Sequence, residues 1–237
     1  MRALVLAAGR GERLSPLTAD RPKPMIEIGG KPVLQYNVEL LVAAGVTEAI
    51  VNLHYQPDAI VDYFGDGSAF GLSIEYAYEP VLLGTAGAAR NVADRLAEDD
   101  FLVVYGDNLS TIDLRKVVAL HRDRGADLTL ALYHRDDPGQ SGIVALGDDD
   151  RIERFLEKPR EEEIFSHWVN AGYLVARPHV LDAIPAESPY DFGRDLLPAL
   201  LARGARLYGY RMTESLWWID SLDDYQRTRK AFERAST

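Results

Sequence analysis

From Leu6 to Met25 the chain reads LAAGRGERLSPLTADRPKPM, a run of small residues interrupted by cations. The glycines Gly9 and Gly11 let backbone N–H groups approach an oxyanion, and Arg13 and Lys23 can neutralise phosphate charge. The stretch reads either as a cradle for a triphosphate or as a basic surface turn. Two common phosphate loops fail at single residues. A dinucleotide-binding loop needs a third glycine where Leu14 stands, and a Walker A loop needs Ser or Thr after Gly30-Lys31, where Pro32 stands.

Asp107 follows the apolar run Phe101 to Tyr105 in Tyr105-Gly106-Asp107-Asn108. A carboxylate at a strand end can hold Mg²⁺, a hard cation that prefers carboxylate and phosphate oxygens; Gly-Asp and Asp-Asn are also common turn formers. Glu157-Lys158-Pro159 sets a carboxylate beside an amine, which point to opposite faces at a strand end and equally suit a solvated ending. Asp220, in Trp217-Trp218-Ile219-Asp220-Ser221, precedes a helical run, so Asp220 or Ser221 is also a candidate helix cap. The histidines His54, His121, His134, His167 and His179 lack the paired spacing of a zinc site. The absence of cysteine excludes disulfides, thiolate metal sites and cysteine nucleophiles.

Positioning these groups requires alternating strands and helices. A short apolar run bounded by glycine predicts a buried strand at Ala3 to Leu6, and further strands are expected at Glu48 to Leu53, Leu72 to Tyr76 and Phe101 to Tyr105. Helical spacing falls between them at Pro32 to Ala44, which Gly45 stops, at Pro57 to Phe64 and at Thr85 to Leu96. After a helix at Asp113 to Arg124 the pattern becomes strand-rich: Asp127 to Tyr133, Gly142 to Leu146, Ile152 to Glu157 and Val169 to Val175. Helices at Phe192 to Ala202 and Leu222 to Ala235 follow, separated by strand-like Ala205 to Arg211 and apolar Leu216 to Ile219. The rhythm predicts an α/β fold of Rossmann-like type: a doubly wound, mostly parallel sheet with helices on both faces, in three αβα layers. One domain, 1–237, is expected, with one half at 1–125 and a strand-rich half at 126–237.

With 47% hydrophobic and 27% charged residues, the 237-residue chain has the composition of an ordinary globule. Its formal net charge of −11 repels nucleic-acid backbones and anionic membranes, so an anionic substrate needs a local basic patch or a metal ion. The apolar stretch Ala3 to Ala8 is too short for a signal peptide or a membrane span. Together these predict a cytoplasmic protein with neither nucleic-acid nor membrane partners.

The pattern Gly-x-Gly-x-Arg-Leu-x-Pro-Leu-Thr followed by Pro22-Lys23-Pro24-Met25 resembles the signature of the sugar-1-phosphate nucleotidyltransferase family. Gly30-Lys31-Pro32, Leu83-Gly84-Thr85-Ala86-Gly87, Gly106-Asp107, Glu157-Lys158-Pro159 and Asn170-Ala171-Gly172-Tyr173 continue the resemblance in order along nearly the whole chain. One departure is Glu12, where many members carry threonine. The resemblance implies Mg²⁺-dependent transfer of a nucleotidyl group from an NTP to a sugar 1-phosphate, with pyrophosphate leaving. It implies that Leu6, Ala8, Gly9, Gly11, Glu12, Arg13, Lys23, Gly84, Thr85 and Gly106 bind the nucleotide. Asp107 and Asp220 would share the metal, with Asp223 as the fallback for Asp220. It makes 1–125 the nucleotide-binding half and 126–237 the sugar-phosphate-binding half: Lys158 would orient the sugar phosphate, while Gly142, Glu157 and Asn170 would read the sugar. Arg13, Lys23, Asp107 and Lys158 would be the catalytic set. Leu-Gly-Thr-Ala-Gly resembles the guanylyl members that act on mannose or heptose 1-phosphates, whereas the Asp220-Ser221-Leu222 register is similar to cytidylyl members; thymidylyl and uridylyl transfer are further alternatives. A silent regulatory paralogue would not need both charge clusters. A nicotinamide oxidoreductase lacks its acidic residue at Asn52 to His54. A homodimer is compatible with the acidic surface.

Overall fold

The computed structural model describes residues 1–186 and 189–235. In chain order the elements are β1 (Ala3–Leu6), β2 (Glu27–Ile28), β3 (Lys31–Pro32), α1 (Val33–Ala43), β4 (Glu48–Leu53), α2 (Asp58–Phe64) and β5 (Ser73–Tyr78). There follow α3 (Thr85–Asn91), α4 (Ala93–Leu96), β6 (Phe101–Tyr105), β7 (Leu109–Ser110), α5 (Leu114–Asp123) and β8 (Leu128–His134). The remainder is β9 (Gly142–Leu146), β10 (Ile152–Glu157), β11 (Trp168–Ala176), α6 (Leu197–Ala202), β12 (Leu207–Arg211), β13 (Leu216–Trp217) and α7 (Leu222–Ala235). The architecture is α/β with a mixed sheet, in keeping with the alternation read from the sequence. The chain divides into two compact units, each described in turn.

One unit comprises Ala3–Leu82, Val104–Ile112 and the chain from Glu214 onward. Here β1 pairs in parallel with β4, from Ala3 opposite Ala49 to Leu6 opposite Asn52, and β4 pairs in parallel with β5. Ala3, Leu4, Val5, Ile50 and Val51 are buried, as an apolar run in a sheet covered on both faces requires. Helix α1 turns Val33, Leu34, Val38 and Leu41 inward at helical spacing. It ends where Gly45 takes φ +80°, a left-handed stop that glycine adopts without a Cβ clash. Strands β2 and β3 form a tight hairpin over Gly29-Gly30, both at positive φ. Leu14, Ile26, Ile28, Val33, Leu109 and Ile219 pack into a second small core beneath it, with Trp217, Tyr225 and Phe232 against its side.

The other unit comprises Met1–Arg2, Leu83–Val103 and Asp113–Thr213. Strand order is β10-β9-β11-β6, and β8 pairs both β11 and β12. The β9–β10 and β8–β11 pairs are antiparallel and β8–β12 is parallel. The register of β11 shifts between Asn170 and Leu174, where Gly172 has φ +80°. Two helices differ from the sequence reading. The run Thr85 to Leu96 breaks at Val92, whose N–H bonds to Ala89 O, three residues back, and so tightens the turn into α3 and α4. The run from Phe192 opens as a π-turn, with Asp191 O accepting from both Asp195 N and Leu196 N before α6 begins.

Candidate active site

The N-terminal loop leaves β1 and is fastened at once, because Ala7 N donates to Asn52 Oδ1 at 2.7 Å. Leu6 is half-buried and Ala8 buried, whereas Gly9 and Glu12 are exposed. A Cβ built on Gly9 would meet no atom within 4 Å, so its backbone faces open space that a ligand can enter. Gly11 is needed for a different reason: at φ +67° its Cβ would lie 2.7 Å from Lys23 Cβ. The missing side chain lets Lys23 pack against the loop. Glu12 lines a cavity of about 290 Å³ with Arg10, Ser15, Thr18, Ala19 and Tyr55.

Lys23 is the centre of this cluster. Its Nζ donates to Asp107 Oδ2 at 2.7 Å and to Asp220 Oδ1 at 2.9 Å, and only 11% of its side chain is exposed. Burial alone would lower the ammonium's pKa, but the two carboxylates outweigh it and the net shift is upward. Arg13 Nη2 stands 3.6 Å from Asp220 Oδ1 on the solvent side. The two carboxylates meet because β7 and β13 pair antiparallel, Leu216 opposite Ser110 and Trp217 opposite Leu109. That register sets Asp107, just before β7, beside Asp220, just after β13. Capping of α7 falls to Ser221, whose Oγ accepts from Asp224 N at 3.1 Å, which leaves the Asp220 carboxylate to the cluster. Asp223 is exposed in the first turn of α7.

The loop carrying Asp107 is held from below. Gly106 N donates to Leu6 O at 3.0 Å, and a Cβ on Gly106 would crowd Leu34 and Val5. Asn37, fully buried on α1, donates from Nδ2 to Asn108 O at 2.8 Å and to Gly106 O at 3.3 Å. Sequence reading missed Asn37 and Asn52. The available signal was an asparagine on the core-facing stripe of a helix and another at the end of an apolar strand, where a polar side chain needs a buried partner.

In the other unit, Glu157 ends β10 with a half-buried carboxylate. A Cβ on Gly142 would lie 2.6 Å from Glu157 Oε2, and one on Gly193 2.4 Å from it, so these two glycines make the room it occupies. Gly193 lies in the π-turn that precedes α6. Desolvation raises the Glu157 pKa; Lys158 and Arg194 pull it down and Asp191 adds to the rise. Lys158 is exposed and takes φ +46°, a left-handed conformation uncommon for a side chain of its size and disfavoured before Pro159. Asn170 Oδ1 accepts from Gly172 N at 2.8 Å across the register shift of β11.

Gly84 and Thr85 also belong to this unit. Gly84 has φ +76°, and a Cβ there would lie 2.6 Å from Tyr190 O. Tyr190 O accepts from Ala86 N and Gly87 N, and Asp191 Oδ1 from Thr85 N and Thr85 Oγ1. The N-terminus of α3 is thereby closed by protein groups. Of the residues singled out in the sequence, Gly11, Arg13, Lys23, Gly106, Asp107 and Asp220 gather in one unit. Gly84, Thr85, Gly142, Glu157, Lys158 and Asn170 lie in the other.

This arrangement of a glycine loop, a buried lysine and two carboxylates accompanies a family match over residues 2–230 to nucleotidyl transferases. The chain belongs to the nucleotidyl transferase family. It is 40% identical over 219 residues to a mannose-1-phosphate guanylyltransferase of Mycobacterium tuberculosis, covering 92% of this chain and 60% of that protein. It is 36% identical over 233 residues to a UTP–glucose-1-phosphate uridylyltransferase of Synechocystis, covering 93% of this chain and again 60% of the relative. The chain thus spans about three fifths of the length of these curated relatives. The crystal structure of HddC from Yersinia pseudotuberculosis complexed with GMP-PN superposes with a TM-score of 0.81 at 26% identity, over 98% of this chain and 99% of that one. No helix among the described residues is long and apolar enough to cross a membrane.

Proposed function

We propose that this nucleotidyl transferase family member moves a nucleotidyl group from an NTP to a sugar 1-phosphate, with GTP and a mannose- or heptose-like 1-phosphate as the favoured pair. The observation that carries the reading is the buried Lys23, gripped by Asp107 and Asp220 and packed against Gly11 of the loop that also carries the open backbone of Gly9. The loop amides, Arg13 and Lys23 bind the triphosphate's outer phosphates. Lys158 and Glu157 orient the sugar phosphate and its hydroxyls. An oxygen of the sugar phosphate then attacks the α-phosphorus, the bond to the β-phosphate breaks, and pyrophosphate leaves with the electron pair. The nucleophile is already ionised at neutral pH, so the protein's work is positioning and charge neutralisation.

A divalent metal fits the same residues. The two carboxylates converge on one cation, the lysine ammonium, and offer the hard oxygen donors that suit Mg²⁺. No group of three or more metal-ligating side chains occurs among the described residues, so phosphate oxygens and water would complete the set. When bound to Asp107 and Asp220, Mg²⁺ would neutralise charge on the α-phosphate and the departing pyrophosphate. The guanine preference draws on the guanylyltransferase relative. The uridylyltransferase relative keeps UTP as the second choice. A cytoplasmic setting and a homodimer belong to the same reading; the cysteine-free composition supports the former.

The test is pyrophosphate release with Mg²⁺, crossing GTP, UTP, dTTP, CTP and ATP with hexose and heptose 1-phosphates. Release that requires both substrates and falls by about 10²-fold or more in Asp107→Ala supports the reading, on the scale of losing one electrostatic stabiliser. Absence of release with every pair overturns it.

A further inference from the structure

We propose that Lys23 acts as an exchangeable counter-ion: in the nucleotide-free protein its ammonium occupies the meeting point of Asp107 and Asp220, and a divalent cation gains those carboxylates only when a triphosphate draws Lys23 away. The inference rests on the nucleotidyl-transfer reading for its ligands, but it concerns how this chain's own groups are shared among them.

The geometry gives two facts. Lys23 Nζ makes charge-assisted hydrogen bonds to both carboxylates, at 2.7 and 2.9 Å, so it takes up oxygens that a metal would need. It is also held there by packing, since its stem lies against Gly11, where even a Cβ would intrude. Charge counting then sets the order of events. Lys23 and Arg13 bring two positive charges and Asp107 and Asp220 two negative ones, so the resting cluster is neutral. A divalent ion entering alone meets no net attraction, is repelled by the ammonium, and has to displace it from a partly desolvated site. A triphosphate adds up to four negative charges. It offers the ammonium new oxygens, and the vacated carboxylates then attract the metal. Metal and nucleotide therefore enter as coupled ligands, and Lys23 is the element that couples them.

The experiment measures Mn²⁺ binding to the nucleotide-free protein from the loss of the free-ion electron paramagnetic resonance signal. Wild type, Lys23→Gln, Lys23→Arg and the double variant Lys23→Gln/Asp107→Asn are compared. Lys23→Gln keeps a hydrogen-bond donor but removes the charge, and is expected to bind Mn²⁺ roughly tenfold or more tightly than wild type. Lys23→Arg restores the charge and stays at the wild-type level, a rescue that a purely structural lysine would not show. The double variant loses the gain. Equal affinity in wild type and Lys23→Gln, or a gain that survives Asp107→Asn, overturns the proposal. A second measurement needs no folded glutamine variant. In wild type labelled with ε-¹³C lysine, which has only five lysines, the Lys23 resonance is expected to stay in place with Mg²⁺ alone and to move when GTP is added. Movement with Mg²⁺ alone overturns the exchange. Neither readout depends on turnover, so failure of nucleotidyl transfer appears separately, as absent pyrophosphate release.

Discussion

Two side chains of the candidate sugar-phosphate cluster carry opposite kinds of tension. Lys158 holds φ +46° without being glycine, and strain of this sort persists where the surrounding structure imposes it. In Lys158→Gly the relief of about 1–2 kcal/mol is partly offset by about 0.5–1 kcal/mol of added freedom in the unfolded chain. A stability gain of up to about 1 kcal/mol is expected in urea unfolding, together with a loss of turnover. A variant that is less stable than wild type would show that the backbone there is unstrained. Glu157 is instead burdened by desolvation, which holds its pKa above the usual 4.5. A raised carboxylate contributes stability that is complete below the unfolded value and is lost as pH rises through the folded one. Glu157→Gln removes that loss, so the variant should gain on wild type progressively from about pH 4.5 upward. Denaturation midpoints at a series of pH values measure this. A difference that does not vary with pH would sink it.

At the level of elements, the short β7–β13 pair and helix α1 do what the long strands do not: they set the positions of individual carboxylates. Asn37 ties α1 to the carbonyls on both sides of Asp107. In Asn37→Ala those buried acceptors lose their donor, a change expected to cost about 1–3 kcal/mol. Because the loop that bears Asp107 is released at the same time, pyrophosphate release should fall even at temperatures where the variant is fully folded. Lowered stability with unchanged turnover would make Asn37 a core residue only. The same scale explains the misread helices. The π-turn before α6 brings the backbone at Gly193 up to the Glu157 carboxylate, and no helical periodicity announces such a turn.

For the whole molecule the governing quantity is charge. For a protein of net charge −11, the proposed binding of an anionic nucleotide depends on a local concentration of cations, so the response to ligand should be confined to that place. GTP with Mg²⁺ at about one hundred times its Kd is expected to stabilise the fold by about 2.7 kcal/mol. Thermal unfolding reports this as a raised Tm in wild type and a much smaller rise in Asp107→Asn. An equal rise in both proteins would place nucleotide binding away from the Asp107 cluster.

The sequence by itself determined the alternation of strands and helices, because apolar runs and helical spacing are local, and its resemblance to a family signature pointed to Lys23, Asp107, Asp220, Glu157 and Lys158, each of which residue type and neighbours alone left open to a turn, cap or solvated ending. What it left open was partnership. Asp220 and Asp223 were both eligible, and only the pairing of β13 with β7 brings Asp220 to an ammonium 197 residues earlier in the chain. That Lys23 occupies both carboxylates, that Gly142 and Gly193 clear space for Glu157, and that Lys158 is left-handed are likewise matters of tertiary packing. Strand register and close approach depend on segments far apart in the chain, and a pattern confined to neighbouring residues carries no record of them.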